Sequence, residues 1–372
     1  MRPFSSLTPA EVRAWVADAG QPAYRAEQLL RWFYRSPAGS FEAMATLPAG
    51  LRERLAAEFT FSTLAPVHVS RADDGETLKY LFRLADGELL ESVCMHYPHH
   101  AASSERTTVC LSTQVGCAVR CPFCATGLGG LKRNMETAEV VDQVLEVCRA
   151  ELRRGRGAPP GGGRVSHLVY MGMGEPLHND GATLASVLRF TDPAALGLGV
   201  RRVTVSTSGV VPAIGALARE GGGVNLAVSL HAPVDGLRDQ LVPLNRRWPV
   251  AEVVEAADGY SRVTGRRVSY EYVMLRGVND GDALADDLGR LLRRRLAHVN
   301  LIPYNPIPGD PYQSSSKSRI DAFRKRVEAA GVACTVRDTR GRRIDAACGQ
   351  LRAEALAGTV ALIPDAAVRS GA

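Results

Sequence analysis

The sequence predicts an α/β fold: an incomplete parallel (βα)6 barrel preceded by a small helical accessory domain and a β-hairpin extension. Three observations carry this reading. From about Thr107 onward, six short runs rich in Val, Leu and Tyr alternate with stretches of helical length, the pattern of parallel strands joined by crossover helices. Upstream, the periodicity is first helical and then that of a hairpin. The length of 372 residues exceeds a typical single domain but suits one large α/β unit with an appendage.

At the N-terminal end, Thr8-Pro9-Ala10-Glu11 forms a capping box with proline at the first helical position, and Val12, Trp15 and Val16 follow at helical spacing. A second helix is expected from Arg25 to Tyr34, carrying Leu29, Leu30 and Phe33, and a third from Phe41 to Phe59. The segment TLKYLFRLADGELLESVCMHY holds two β-rich runs around Ala85-Asp86-Gly87-Glu88, a hairpin signal.

The six core strands are expected in TTVCLSTQV, HLVYMGMG (167–174), RVTVSTSG (202–209), VNLAVSLHA (224–232), RVSYEYVML (267–275) and HVNLIPYNP (298–306). Helices are expected between them at Glu136–Arg153, Gly181–Phe190, Pro212–Glu220, Val250–Thr264 and Asp282–Leu296. Ligands of such sheets sit beyond the C-terminal strand ends, where GMGEP, STSG, SLHAP and PYNP fall. The glycine- and proline-rich stretch 158–164 reads as a loop, because the alternation continues past it. The expected division is a helical accessory domain at 1–75, the hairpin extension at 76–106, the partial barrel at 107–345 and a C-terminal segment at 346–372.

No signal-peptide pattern opens the chain, so the mature protein is expected to begin near Met1. No apolar run approaches the roughly 18 residues of a membrane span. The expected location is the cytoplasm, with no membrane partner, and the expected state is a monomer. In a reducing compartment, clustered cysteines are metal ligands or redox groups before they are disulfide staples. The net charge of +6 is modest, but from Ser316 to Arg352 ten Lys/Arg face four acidic residues. Any nucleic-acid footprint is therefore expected toward the C-terminal half; a solvated arginine-rich helix face is the alternative reading of the same charges.

Four of the eight cysteines lie in VCLSTQVGCAVRCPFCATG, residues 109–127. Cys117, Cys121 and Cys124 form C-x3-C-x2-C just after the first core strand, in a loop marked by Gly116 and Pro122. A structural zinc site ordinarily takes four ligands, and the next cysteine, Cys148, falls mid-helix. Three thiolates on a cubane iron–sulfur cluster leave one iron open for a substrate. Zinc remains the rival, disfavoured by ligand count.

The motif CAVRCPFC resembles the signature of radical S-adenosylmethionine (SAM) enzymes. Together with MGMGEPL (171–177), VSTSGVVP (205–212), VSLHAP (228–233), NLIPYNPIPG (300–309) and RRIDAACGQL (342–351), it makes nearly the whole chain similar to the RlmN/Cfr family of RNA adenine methyltransferases. The resemblance implies a radical SAM barrel. It also implies one [4Fe-4S] cluster held by Cys117, Cys121 and Cys124, with SAM bound at the open iron and cleaved to a deoxyadenosyl radical. SAM contacts carried over by the motifs are Gly174 and Glu175, Ser206, Ser229-Leu230-His231, and Asn305. Glycines allow close backbone approach and a carboxylate suits the SAM ammonium. On residue type alone, Ser206 and Ser229 read as satisfied strand ends and His231 as a structural hydrogen bonder.

The same resemblance gives Cys348 the role of accepting a methyl group from one SAM. The radical made from a second SAM then activates that group for attack on the adenine ring. Cys110 would resolve the covalent RNA intermediate by forming a disulfide with Cys348, and Glu91 would remove the ring proton. Without the resemblance, Cys348 reads as an inert cysteine and Glu91 as a surface carboxylate on a strand. Arg340, Arg342 and Arg343 upstream and Gly349 downstream suit a reactive thiol. Implied partners are 23S rRNA, tRNA and an electron donor such as flavodoxin or ferredoxin. RlmN-type members methylate adenine C2 and Cfr-type members C8; the C2 type is expected as the commoner. A radical SAM enzyme with a non-RNA substrate and a non-catalytic zinc-bearing RNA-binding module are the other classes compatible with the residues. No role is assigned to Cys94 or Cys334.

Overall fold

Strand and helix alternation is realised as expected, and the strands join the hairpin in one sheet. The structure, a computed structural model of the chain, describes residues 1–72, 75–97, 106–154, 165–307, 309–337, 350–358 and 362. The expected loop at 158–164 lies outside them. No helix among the described residues is long and apolar enough to cross a membrane.

The N-terminal unit comprises β1 (Arg2–Pro3), α1 (Pro9–Asp18), α2 (Tyr24–Leu30), α3 (Ala49–Glu58) and β2 (Phe59–Thr60), with β1 and β2 paired in parallel. The capping box of α1 is complete: Glu11 N–H donates to Thr8 Oγ1 at 3.1 Å, and Thr8 N–H donates to Glu11 Oε2 at 2.7 Å. Those Thr8 bonds, with Arg2 beside them, pull the Glu11 carboxyl down to about 2. The second expected helix continues from α2 as a π-helical turn over Arg31–Arg35. The third starts at Ala49 rather than Phe41, because Pro48 caps it and lacks an amide proton to continue a helix from upstream. Phe4, Phe33, Phe41, Phe59 and Phe61 pack edge to face at centroid distances of 4.6 to 5.8 Å and fill this unit's interior.

The sheet begins with β3 (Leu64–Arg71), β4 (Thr77–Leu84), β5 (Leu89–Tyr97) and β6 (Arg106–Cys110), successive antiparallel neighbours. A short antiparallel ribbon follows, β7 (Gln114–Gly116) with β8 (Leu131–Asn134), enclosing α4 (Ala125–Leu128). Then come α5 (Thr137–Arg153), β9 (Val165–Tyr170), α6 (Asp180–Thr191), β10 (Val203–Thr207), α7 (Val211–Glu220), β11 (Asn225–Ser229), α8 (Asp235–Leu241), α9 (Val250–Thr264), β12 (Val268–Met274), α10 (Asp282–Leu292), β13 (Ala297–Pro303), α11 (Lys317–Ala329), β14 (Ala333–Val336) and α12 (Gln350–Leu356). The ten-stranded order is β14-β13-β12-β11-β10-β9-β6-β5-β4-β3, parallel from β6 to β14. The six expected core strands are β6 and β9 to β13; β14 adds a seventh parallel strand and β3 extends the hairpin. Strand β3 bends at Pro66, where its pairing with β4 shifts register. Helix α10 stops four residues early, and Arg294 takes a left-handed φ of 64° in the turn that follows.

Helix α5 lies between the sheet and the N-terminal unit and is buried on nearly every side. Its polar residues are tied across that junction. Asp142 Oδ2 accepts from the Thr63 amide and hydroxyl, both at 2.8 Å, and Arg149 Nε donates to the Ala38 carbonyl at 2.9 Å. The small helical unit is thereby pinned against α5 of the barrel.

Candidate functional site

The cysteine loop is held at its base by the β7–β8 ribbon. Cys117 N–H donates to the Gly130 carbonyl at 2.9 Å, so residues 117–130 close on themselves. At Gly116, with φ of 83°, an added Cβ would sit 1.9 Å from the Gly130 oxygen; only glycine permits this turn. Cys117, Cys121 and Cys124 consequently converge on one cavity of about 340 Å³ at the C-terminal ends of the strands, as expected of parallel α/β folds.

As bare thiols these three are unfavourably placed for ionisation. Burial pushes Cys117 up to about 12 and raises Cys121 and Cys124, and each of Cys117 and Cys121 is raised further by a neighbouring sulfur. Main-chain N–H groups of Val119 and Arg120 point at Cys117 and those of Gly127 and Thr126 at Cys124, opposing that rise. A crowded set of thiols approached by amide donors suits a bound cation or cluster that holds them deprotonated. Three sulfurs converge, and among the described residues no fourth cysteine lines the cavity, which fits a three-cysteine cluster better than a closed zinc site.

The same cavity is lined by Gly174, Glu175, Ser206, Ser229, His231 and Asn305, so six of the seven expected SAM contacts meet the three cysteines. Leu230 is the exception: its side chain is fully buried and does not line the cavity, and only its main chain bonds nearby groups. Its alternation opposite Ser229 and His231 explains this.

The GMGE turn is seated against the strand below. A Cβ on Gly172 would lie 2.5 Å from the Leu111 carbonyl oxygen, and one on Gly174 would lie 2.6 Å from Gln114 Cβ. Gln114 Oε1 accepts the Glu175 amide at 2.8 Å, and Ser112 Oγ accepts that of Met173 at 2.9 Å. Glu175 is buried, and its two carboxylate oxygens accept from Leu177 N–H at 3.0 Å and Ser208 N–H at 2.6 Å. The carboxylate thus joins the ends of β9 and β10 while facing the cavity.

His231 has a left-handed φ of 59°, an uncommon backbone state for a non-glycine residue. Its Nδ1 accepts from Val273 N–H at 3.1 Å, which assigns the proton to Nε2. Burial, with Arg238 nearby, pushes the imidazole down to about 3, so it is neutral at physiological pH. Phe123 of the cysteine loop stacks edge-on against the ring at 5.1 Å.

Two residues of this site carried no signal in the sequence reading. Arg238 on α8 is fully buried and donates to the carbonyls of Leu230 at 3.0 Å, Ser208 at 2.6 Å and Ser229 at 3.1 Å. It gathers the carboxyl ends of β10 and β11. Arg337, just beyond β14, also lines the cavity, with Nη1 3.6 Å from Met171 Sδ and 3.9 Å from Glu271 Oε2.

Beside the cavity lie Cys110 and Glu91. Cys110 is a free thiol that burial pushes up to about 11, with Arg337 as the main opposing cation and Met171 N–H directed at the sulfur. Glu91 is not a surface carboxylate: it is 2% exposed, with Oε2 3.1 Å from Lys79 Nζ and Oε1 accepting from Arg352 N–H of α12 at 2.6 Å. Cys348, Arg340, Arg342 and Arg343 lie outside the described residues. The three described arginines of α11 are ion-paired: Arg319 with Asp282, Arg326 with Asp286 at 3.0 Å and Arg324 with Glu328 at 2.7 Å.

Residues 111–288 match the model of the radical SAM superfamily, and residues 4–60 match that of the ribosomal RNA large subunit methyltransferase N-terminal domain. A probable dual-specificity RNA methyltransferase RlmN of Parafrankia sp. is 51% identical over 95% of this chain and 92% of its own length. The protein of the same name in Rhodococcus erythropolis is 51% identical over 95% of each chain. The crystal structure of a radical SAM methyltransferase from Sphaerobacter thermophilus superposes with a TM-score of 0.87 at 48% identity, covering 94% of this chain and 99% of that one.

Proposed function

The chain belongs to the RlmN family within the radical SAM superfamily, and from that premise we propose that it is an RNA methyltransferase acting at C2 of adenine. Its substrates in this reading are one adenine of 23S rRNA and one beside the anticodon of some tRNAs. The observation that carries the proposal is the convergence of Cys117, Cys121 and Cys124 with Glu175, Ser206, Ser229, His231 and Asn305 on one cavity, next to the buried Glu91 and the half-buried Cys110. A [4Fe-4S] cluster held by the three cysteines, when bound, supplies the electron that cleaves SAM.

The chain's own groups do the rest. Glu175 presents a buried carboxylate to the SAM ammonium, oriented by two amide bonds so that little reorganisation accompanies binding. Neutral His231 offers an Nε2–H donor, and Ser206, Ser229 and Asn305 offer hydroxyl and amide partners for the adenosine portion. Val119, Phe123 and Val273 form apolar walls of the cavity. Cys348 is the methyl-carrying residue, charged by one of two SAM molecules. Glu91 accepts the proton that leaves the adenine ring, and Cys110 breaks the carbon–sulfur link to Cys348. C2 of adenine is not nucleophilic, which is why a carrier cysteine is needed in place of direct polar transfer. Flavodoxin or ferredoxin is the electron donor in this reading, and the protein works as a cytoplasmic monomer.

Nucleoside mass spectrometry of rRNA and tRNA from cells with and without the gene tests the assignment. Loss of 2-methyladenosine from both RNA classes on deletion is expected. Loss of 8-methyladenosine in its place would reassign the chain to C8 chemistry, and no change in either would remove RNA as the substrate.

A further inference from the structure

Lys79 is buried on β4, the strand next to the sheet edge, with its side chain 1% exposed, and its Nζ lies 3.1 Å from Glu91 Oε2. The strand register explains the meeting. Lys79 pairs with Val93 across β4–β5, and Val93 pairs with Cys110 across β5–β6. Directly opposed residues share a face of a sheet, and so do residues two apart on a strand. Lys79, Glu91 and Cys110 therefore emerge on one side. Leu81, directly opposite Glu91 on β4, shares that face and packs with Leu89 and Leu351 of α12.

An ion pair in this position is poorly explained by stability. Removing two charges from water is costly, and apolar residues of similar volume are commonly as stable or more so. The arrangement does give one thing an apolar pair does not: a carboxylate fixed in direction inside the protein. One of its oxygens faces Lys79 and the other the Arg352 amide.

We infer that Lys79 is a positioning residue for Glu91, fixing that carboxylate beside Cys110 in the direction from which it accepts the substrate's proton. The inference rests on the reading of Glu91 as the proton acceptor. The step it serves is a proton transfer alone. The C–H bond at the ring carbon breaks, the proton passes to a Glu91 oxygen, the bonding pair stays with the substrate, and Lys79 keeps its own proton. Lys79 touches neither substrate nor cofactor in this account; it acts through Glu91.

The test uses the full-length, cluster-loaded enzyme with K79M, K79Q, K79R and E91Q in parallel. K79M and K79Q should keep wild-type iron content and wild-type methylation of Cys348. Their kcat for RNA methylation should fall by about tenfold to a hundredfold, with KM for RNA unchanged and RNA-linked protein accumulating. K79R, which retains the charge, should recover most of the turnover. If K79M and K79Q turn over within about twofold of wild type while E91Q is blocked, Lys79 has no positioning role. A K79R enzyme as slow as K79M would also overturn the inference, since charge would then be irrelevant. E91Q turning over like wild type would remove the reading of Glu91 itself, an outcome separate from either of these.

Discussion

Cys110 and Glu91 project from the same face of the central sheet: Cys110 is paired with Val93, and Glu91 lies two residues from Val93 along β5. Nineteen positions apart in sequence, they become diagonal neighbours because β5 and β6 are antiparallel. A chain of bonds joins this face to the cavity: Ser112 Oγ donates to the Glu91 carbonyl at 2.6 Å and accepts from Met173 N–H at 2.9 Å. The hairpin is thus part of the chemical wall of the barrel.

Cys117→Ala, Cys121→Ala and Cys124→Ala should each abolish the brown iron chromophore and activity while leaving the fold largely intact. The thiols lie on a loop closed by its own ribbon rather than in the main core. Iron analysis with circular dichroism checks this; one such variant with full iron and full activity contradicts the ligand assignment.

Glu175→Gln should weaken SAM binding and lower stability together. Replacing one carboxylate oxygen by an NH2 group sets a donor against the Ser208 or Leu177 amide. Leaving such a buried donor unmatched costs about 1–3 kcal/mol. Loss of a charge-assisted contact to the SAM ammonium corresponds to about a tenfold or larger rise in Kd. Calorimetry and thermal melting should move in step, and unchanged SAM affinity would confine Glu175 to a structural role.

Resolution of the RNA-linked enzyme should accelerate with pH. Burial pushes the Cys110 thiol up to about 11, so at pH 7 only about one molecule in ten thousand carries the thiolate that attacks. The thiolate fraction rises about tenfold for each pH unit below that value, and rapid-quench measurement from pH 7 to 9 should show the same slope. Arg337→Ala removes the main cation opposing the shift and should slow resolution at every pH in that window. A flat profile would mean that deprotonation of this thiol does not limit the step.

Because the α11 arginines are paired with Asp282, Asp286 and Glu328, reversing Arg324 and Arg326 should leave the salt dependence of RNA binding nearly unchanged. Reversing Arg342 and Arg343 should weaken binding and flatten its salt slope, since fewer counterions are then released. Equal effects from the two double variants would show that charge along the whole segment acts without local specificity.

What could be read in the sequence was what is local in it. The capping box at Thr8, the βα alternation and the C-x3-C-x2-C loop each lie within a few residues, so their spacing carries their geometry. Strand β14 escaped notice because Ala333–Val336 is four residues long, and β3 because Pro66 interrupts its alternation. The burial of Glu91 was hidden for a related reason. Strand β5 is covered on both faces, so LLESVCM lacks the polar and apolar alternation that marks a half-buried strand. Lys79 with Glu91, and Arg238 with the carbonyls of Ser208 and Ser229, are long-range pairings that no short window contains. The proposed SAM contacts rest on motif resemblance; residue type alone favoured structural roles for Ser206, Ser229 and His231.

The central claim is that Cys348 and Cys110 act in sequence, one as methyl carrier and one as resolving thiol. It is tested most directly by incubating Cys110→Ala and Cys348→Ala enzymes with SAM, reductant and RNA, then running denaturing gels with and without ribonuclease. Cys348→Ala should give neither methylated cysteine nor RNA product. Cys110→Ala should give a slow-migrating, RNA-linked band that ribonuclease collapses to a nucleotide adduct on Cys348, because the resolving thiol is needed only after the bond to substrate exists. A Cys110→Ala enzyme that forms full product with no adduct would contradict the account.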